Sequence, residues 1–140
     1  MKSLICKSIA VVTICAALFS FSPMPGGEGF EISLNNKVMI QKFGNEVNSV
    51  QNIQLTQASP NDQLIIKYHH CGKVGKNRIL AIKDGQNKTL KEFHYADAAT
   101  PVAAMSLNVK DILGFKKGNA ILKLFYSSSE LPNGRILASF

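Results

Sequence analysis

From Phe30 onward, apolar and polar positions alternate in short runs separated by Gly, Pro, Asn and Asp clusters every 8 to 12 residues, a spacing that predicts a β-sandwich or barrel. Phe30, Ile32 and Leu34 alternate with Glu31 and Ser33. Asn35-Asn36 then supplies residues that tolerate the positive φ of a tight hairpin. The return strand, 37–43, places Val38 and Ile40 on one face. Residues 47–56 alternate only in their second half, through Ile53 and Leu55. Residues 63–71 form a strongly apolar strand with Leu64, Ile66, Tyr68 and His70 on one side. Residues 78–83 (Ile79, Leu80, Ala81, Ile82) read as a central strand buried on both faces.

Asp84-Gly85 turns the chain into 89–95, and 104–109 forms a short strand. The one helical turn predicted is 108–113, with Asn108 as N-cap and Gly114 as its end. Residues 120–127 place Leu122, Leu124 and Tyr126 on one face. Asn133-Gly134 is a hairpin signal, and 135–140 closes the chain. No ten-residue stretch carries a helical period. The expected fold is all-β: an antiparallel β-sandwich, immunoglobulin-like or jelly-roll, of eight or nine short strands.

Residues 1–22 break this pattern. A basic start (Lys2, Lys7), an apolar run over 8–21 and small residues at Ser20 and Ser22 have the build of a secretory signal peptide. The run is shorter than the roughly 20 residues that span a bilayer. Residues 23–29 read as a short linker and 30–140 as a single domain of a size able to bury its own core. The expected localisation is therefore exported, periplasmic or at the cell surface. Losing Lys2 and Lys7 takes Lys+Arg from 16 to 14 against nine acids, and the formal charge from +7 to about +5. Cys6 and Cys15 also leave with the signal, so Cys71 stands alone and no internal disulfide forms.

Leu34-Asn35-Asn36-Lys37, Asn61-Asp62-Gln63-Leu64, His70-Cys71-Gly72, Lys110-Asp111-Ile112-Leu113 and 130–135 (Glu-Leu-Pro-Asn-Gly-Arg) together resemble a group of small exported all-β proteins from environmental Gram-negative bacteria. That resemblance implies the fold and the compartment. It implies no activity.

Three sets of residues are candidates for chemistry. His69, Cys71 and His94 carry the ligand types of a zinc or copper site. Alternation puts His69 and Cys71 on one face and His70 on the other. In a simple meander the intervening strand would hold His94 about 9.6 Å away, twice the strand spacing, so only a strand order that makes them neighbours builds the site. The bland alternative is a hydrogen-bonded His70, a surface His69 and Cys71 as a small hydrophobe at the strand end. Cys71 as a thiol nucleophile, paired with a histidine and activated by nearby cations, is the second reading.

Lys73, Lys76 and Arg78 form the third set, a basic loop suited to an anionic envelope glycan or lipid. Lys116-Lys117 makes another basic turn. The bland alternative is a solvated turn. Nucleic acid is not expected, because aromatics do not interleave with these cations. The acids are scattered singly, without a calcium cluster or a glycosidase pair. Trp is absent, and Tyr68, Tyr95 and Tyr126 read as packing residues with hydroxyls at the rim.

The strands are too short and lysine-rich for an outer-membrane barrel, so an integral membrane protein is not expected. No cofactor is indicated. The best-supported expectation is a non-catalytic exported binding or structural module, its last strand open to strand addition by an envelope protein. A metal- or thiol-dependent activity centred on Cys71, and anionic binding through the basic loop, are the alternatives.

Overall fold

The computed structural model describes residues 27–55, 59 and 61–140. The expected signal segment, 1–22, and residues 23–26 of the expected linker lie outside these. Among the described residues nine strands form: β1 (Glu28–Leu34), β2 (Lys37–Phe43), β3 (Gln51–Asn52), β4 (Gln63–His70), β5 (Arg78–Lys83), β6 (Thr89–Tyr95), β7 (Ala104–Asn108), β8 (Lys123–Ser128) and β9 (Leu131–Ser139). A 3-10 helix (Gly44–Asn48) and one α-helix, α1 (Val109–Leu113), accompany them. No described helix is long and apolar enough to cross a membrane.

Four strands form one sheet in the order β2-β1-β4-β7, and five form the other as β3-β9-β8-β5-β6. All neighbours are antiparallel except β3 and β9. The sheets pack face to face as a sandwich that does not close into a barrel. β1-β4-β7 takes the A-B-E positions of an immunoglobulin-like sandwich, and β9-β8-β5-β6 the G-F-C-C′ positions. That order selects the immunoglobulin-like alternative over the jelly-roll. The hairpin strand β2 is an addition outside β1.

The core follows from alternation. Phe30, Ile32, Leu64, Ile66 and Leu107 from one sheet meet Leu80, Ile82, Leu122, Leu124 and Tyr126 from the other, all at most 2% exposed. Antibody domains bridge their B and F strands with a disulfide at this level. Here Tyr68 of β4 stacks on Tyr126 of β8 with ring centroids 4.5 Å apart. The stacked rings join the two sheets by packing at this point.

Four local expectations are corrected. A bulge opposite Ile32/Ser33 shifts the parity of β2, so Ile40 is buried while Val38 is 50% exposed. Ile53 and Leu55 are buried, but outside any strand. Asn108 precedes α1 without capping it and instead accepts a hydrogen bond from Gln63.

The fourth correction concerns β8 and β9. They turn at Ser129-Glu130, and Asn133-Gly134 lies inside β9. Gly134 has φ +68°, and a Cβ there would lie 1.9 Å from the Phe125 ring. The glycine serves a bulge over which Phe125 lies flat, a use that looks the same in sequence as a hairpin turn.

Among the described residues, β9 is paired on its outer side only where Gln51 and Asn52 meet Ala138 and Ser139. Residues 131–137 leave an open edge. Pro132, which lacks a donor, and the bulge at Gly134 both oppose strand addition along it.

Candidate functional site

The end of β4 and the start of β1 meet β8 and β9 at one end of the sandwich, and the His-His-Cys sequence lies there. His70 pairs with Glu28 across the β1–β4 ladder. Its side chain turns inward, and Nε2 lies 2.8 Å from the Tyr126 hydroxyl and 3.3 Å from Ser128 Oγ. His69 turns outward and meets the edge of Phe43.

Cys71 and Gly72 follow with φ +55° and +85°, and the Lys73 N–H donates back to the His70 carbonyl at 3.1 Å. Two successive positive φ values make a tight reversal of the I′ kind. Cys71 is thereby placed in solvent rather than packed at the strand end.

His94 lies on β6, at the edge of the other sheet, and its Nε2 is 3.3 Å from Glu92 on its own strand. The strand order thus separates His69 and Cys71 from His94 more completely than a meander would. Among the described residues, no group of three His, Cys, Asp or Glu side chains is placed to hold a metal ion.

A polar network fills this end instead. Tyr68 donates to the Glu28 carboxylate. Burial, reinforced by that carboxylate, pushes the Tyr68 phenol well above its ordinary value, so it remains a donor. Arg135 Nη1 lies 3.3 Å from Glu28 Oε1, near enough for attraction, yet without an aligned hydrogen bond. Burial lowers the pKa of His70, against the pull of Glu130 and Glu28. A neutral ring accepting the Tyr126 proton satisfies both groups. Burial also raises Tyr126, which keeps that proton in place.

Glu130 accepts the Lys76 backbone N–H through both oxygens at 3.0 and 3.1 Å. Its partial burial raises the carboxyl, but the Lys76 bond and others outweigh this and leave it below its ordinary value. An open pocket of about 250 Å³ lies over the network, lined by Glu28, His70, Cys71, Lys73, Glu130 and Leu131.

Ser128 and His70 are within reach of a nucleophile–base pair. However, the closer Tyr126 hydroxyl engages the same ring nitrogen, and Ser128 Oγ accepts the Leu131 N–H at 3.2 Å. The hydroxyls of Ser128 and Tyr126 and the His70 ring are thus held by one another and by the fold.

The predicted basic loop does not stay together. Lys73 and Lys76 are exposed, but Arg78 is only 7% exposed. Its Nε and Nη2 donate to the Ala96 carbonyl at 3.0 and 2.9 Å, and its Nη1 to the Ala103 carbonyl at 3.0 Å. Arg78 therefore fastens the β6–β7 crossover from inside. It is a structural cation, and sequence spacing could not show this because both carbonyls arrive from 18 and 25 residues away.

Lysines gather instead at the opposite end of the five-stranded sheet. Lys83 ends β5 and faces Lys123 at the start of β8 as a direct cross-strand partner. The Lys83 ammonium lies 3.8 Å from the Phe125 ring centroid, and that of Lys123 is 2.9 Å from Asn87 Oδ1. Lys88 is exposed in the β5–β6 turn. Lys117, Asp84, Phe115, Leu90 and Ile121 line a pocket of about 540 Å³ beside it. A second pocket, of about 260 Å³, shares Asn119 and Ile121 and includes Lys116, whose Nζ donates to the Phe140 carbonyl at 2.7 Å.

Among the described residues the ion pairs are Glu28–Arg135 and Glu92–His94, so Lys83, Lys88, Lys117 and Lys123 have no carboxylate partner. Asp84, the acid among them, accepts the Gln86 and Lys88 backbone N–H groups. In the sequence only Lys116-Lys117 is visible as a cluster. The register of β5 on β8 adds the rest. No protein-family model and no curated protein matches this chain.

Proposed function

We propose that this chain is an exported, non-catalytic binding module that docks through its lysine-rich end onto a negatively charged component of the cell envelope. The observation that carries this reading is the segregation of charge. Among the described residues Lys83, Lys88, Lys117 and Lys123 have no carboxylate in ion-pair contact, and the acid beside them, Asp84, is turned to its own backbone, while the cations at the His70 end sit beside Glu28 and Glu130. Like charges directly opposed across a ladder cost stability. Within the fold Lys83 rests on the Phe125 ring and Lys123 bonds Asn87, so the ammonium groups left for a counter-charge from outside are chiefly those of the exposed Lys88 and Lys117. The build of residues 1–22 and the resemblance to small exported β proteins support the compartment.

The test is retention on isolated Gram-negative envelopes. Lys88→Glu with Lys117→Glu should release the protein into the supernatant. Lys73→Glu with Lys76→Glu at the other end should leave it bound. Equal retention of both variants would refute the reading.

The competing reading, a metal- or thiol-dependent activity at Cys71, has its own check. Intact-mass measurement after incubation with zinc or copper would favour it if metal stayed bound or Cys71 proved modified.

A further inference from the structure

Resting on the reading above, we propose that the anionic component is a phospholipid leaflet, and that Ile121 is the side chain that enters it. Four large apolar residues are conspicuously exposed, and Ile121 is the most exposed of them at 55%. It stands on the ridge between the two pockets. Half-buried Leu90 and Phe115 lie on one side of it and half-buried Leu113 on the other. Cations lie near this apolar ridge: Lys116 and Lys117 each line one of the two pockets beside it, Lys123 follows it in the chain, and Lys88 is exposed in the β5–β6 turn, whose Asp84, Gly85 and Gln86 line the larger pocket.

An acidic glycan offers charge without an apolar layer, and an exposed isoleucine among lysines gains nothing from it. A leaflet offers both at the required depths. Headgroup phosphates meet the ammonium groups, and an apolar side chain at their centre reaches the acyl boundary about 5–10 Å below. Lysine stems can lie along apolar surface while their charges remain at the headgroups. Asp84 does not oppose this arrangement, because its carboxylate faces backbone N–H groups of its own turn.

The chain has no Trp, so Ile121→Trp introduces a single fluorophore at the proposed point of entry. The full chain carrying it is titrated with vesicles of phosphatidylcholine alone and of phosphatidylcholine mixed with phosphatidylglycerol. All arms share residues 1–22, so the result is read from the differences between arms in the emission of the introduced fluorophore and not from total binding. The expected result is a blue-shifted emission with the anionic vesicles only, weakening as salt is raised. Adding Lys88→Gln and Lys117→Gln should lower affinity about 25-fold, fivefold for each lysine. In the native background, Ile121→Ser should lower it about tenfold, the loss of one apolar side chain from the boundary.

Binding without a blue shift, or binding indifferent to Ile121→Ser, would overturn the proposal. So would equal binding to both vesicle types. Envelope retention that depends on the lysines, without vesicle binding, would refute the lipid while sparing the docking reading. A soluble polyanion such as polygalacturonate would then be the probe for the glycan. Loss of retention by neither charge variant would remove both.

Discussion

The two ends of the sandwich handle polar chemistry in opposite ways. At the His70 end, polar groups face one another. Tyr126 binds His70, Tyr68 binds Glu28, Glu130 binds the Lys76 N–H and Arg78 binds two crossover carbonyls. At the lysine end, Lys88 and Lys117 face solvent, and Lys83 and Lys123 occupy opposed positions of a ladder with no carboxylate between them. A buried polar group must find its partner within the fold, whereas an exposed one can leave it to come from outside. The first end, although it holds the residues that attract the eye, is the end that stabilises. The second, spelled in ordinary lysines, is the end with unsatisfied demand.

The largest test of this contrast is Tyr126→Ala, which removes the ring that joins the sheets in place of a disulfide. A fully buried aromatic truncated to alanine costs about 3–5 kcal/mol, readable by urea denaturation. Tyr126→Phe keeps the stack and removes only the hydroxyl, so it should cost about 1–2 kcal/mol, the expense of leaving His70 Nε2 short of a partner. If both changes cost the same, the hydrogen bond rather than the stacking joins the sheets.

Next comes Arg78→Met, which keeps an apolar stem but leaves the Ala96 and Ala103 carbonyls without their charged donor. A loss of about 2–3 kcal/mol is expected. Lys73→Met, five residues earlier in the same loop, should change stability by less than about 0.5 kcal/mol. Similar costs for the two would mean that Arg78 belongs to the surface after all.

How much of this contrast the chain discloses depends on the range of the interactions. Alternation alone puts Tyr68, His70 and Tyr126 inward and His69 outward, because side-chain direction is a property of neighbouring residues. Most of the strands follow from turn chemistry in the same way, the short β3 and the β8–β9 turn being the exceptions. Bulges break the inference, since one extra residue at Met39 reverses the face of Val38, and Gly134 reads as a turn while serving a bulge. Sheet partners are beyond local pattern altogether. The separation of His94 from His69, the burial of Arg78 and the meeting of Lys83 with Lys123 are all set by which strands pair. That order is the part of the fold one sequence specifies least openly.

The pH dependence sharpens the first half of the comparison. His70 is held neutral by burial, so its folded pKa lies below its ordinary value of 6.5. The unfolded chain therefore binds more protons between the two values, and stability rises with pH through that window. The contribution is complete above pH 6.5 and is lost as pH falls through the folded value. Chemical denaturation from pH 7.5 down to pH 5 should show the decline, and His70→Gln should flatten it. An unchanged slope in that variant would assign the effect to another group.

Cys71 gives a smaller effect of opposite sign. Its φ of +55° is one that Asn tolerates better. Cys71→Asn should therefore raise stability by up to about 1 kcal/mol in thermal or urea unfolding, while removing the thiol. A loss of stability would instead reveal a packing role for the sulfur.

The smallest expected change in stability falls at the lysine end, and its smallness is what gives it meaning. Lys88→Gln and Lys117→Gln, alone or together, should move the unfolding free energy by no more than about 0.5 kcal/mol. The sign should be towards greater stability at low salt, because each removes a positive charge from an unneutralised group, and the gain should fade as salt screens the repulsion beyond roughly 10 Å at 0.1 M. The same substitutions should abolish most of the salt-dependent attachment. A residue whose removal steadies the fold while weakening attachment is held for something outside the fold. If these lysines proved stabilising, they would belong with Arg78 as structural cations, and the two ends of the molecule would no longer differ in kind.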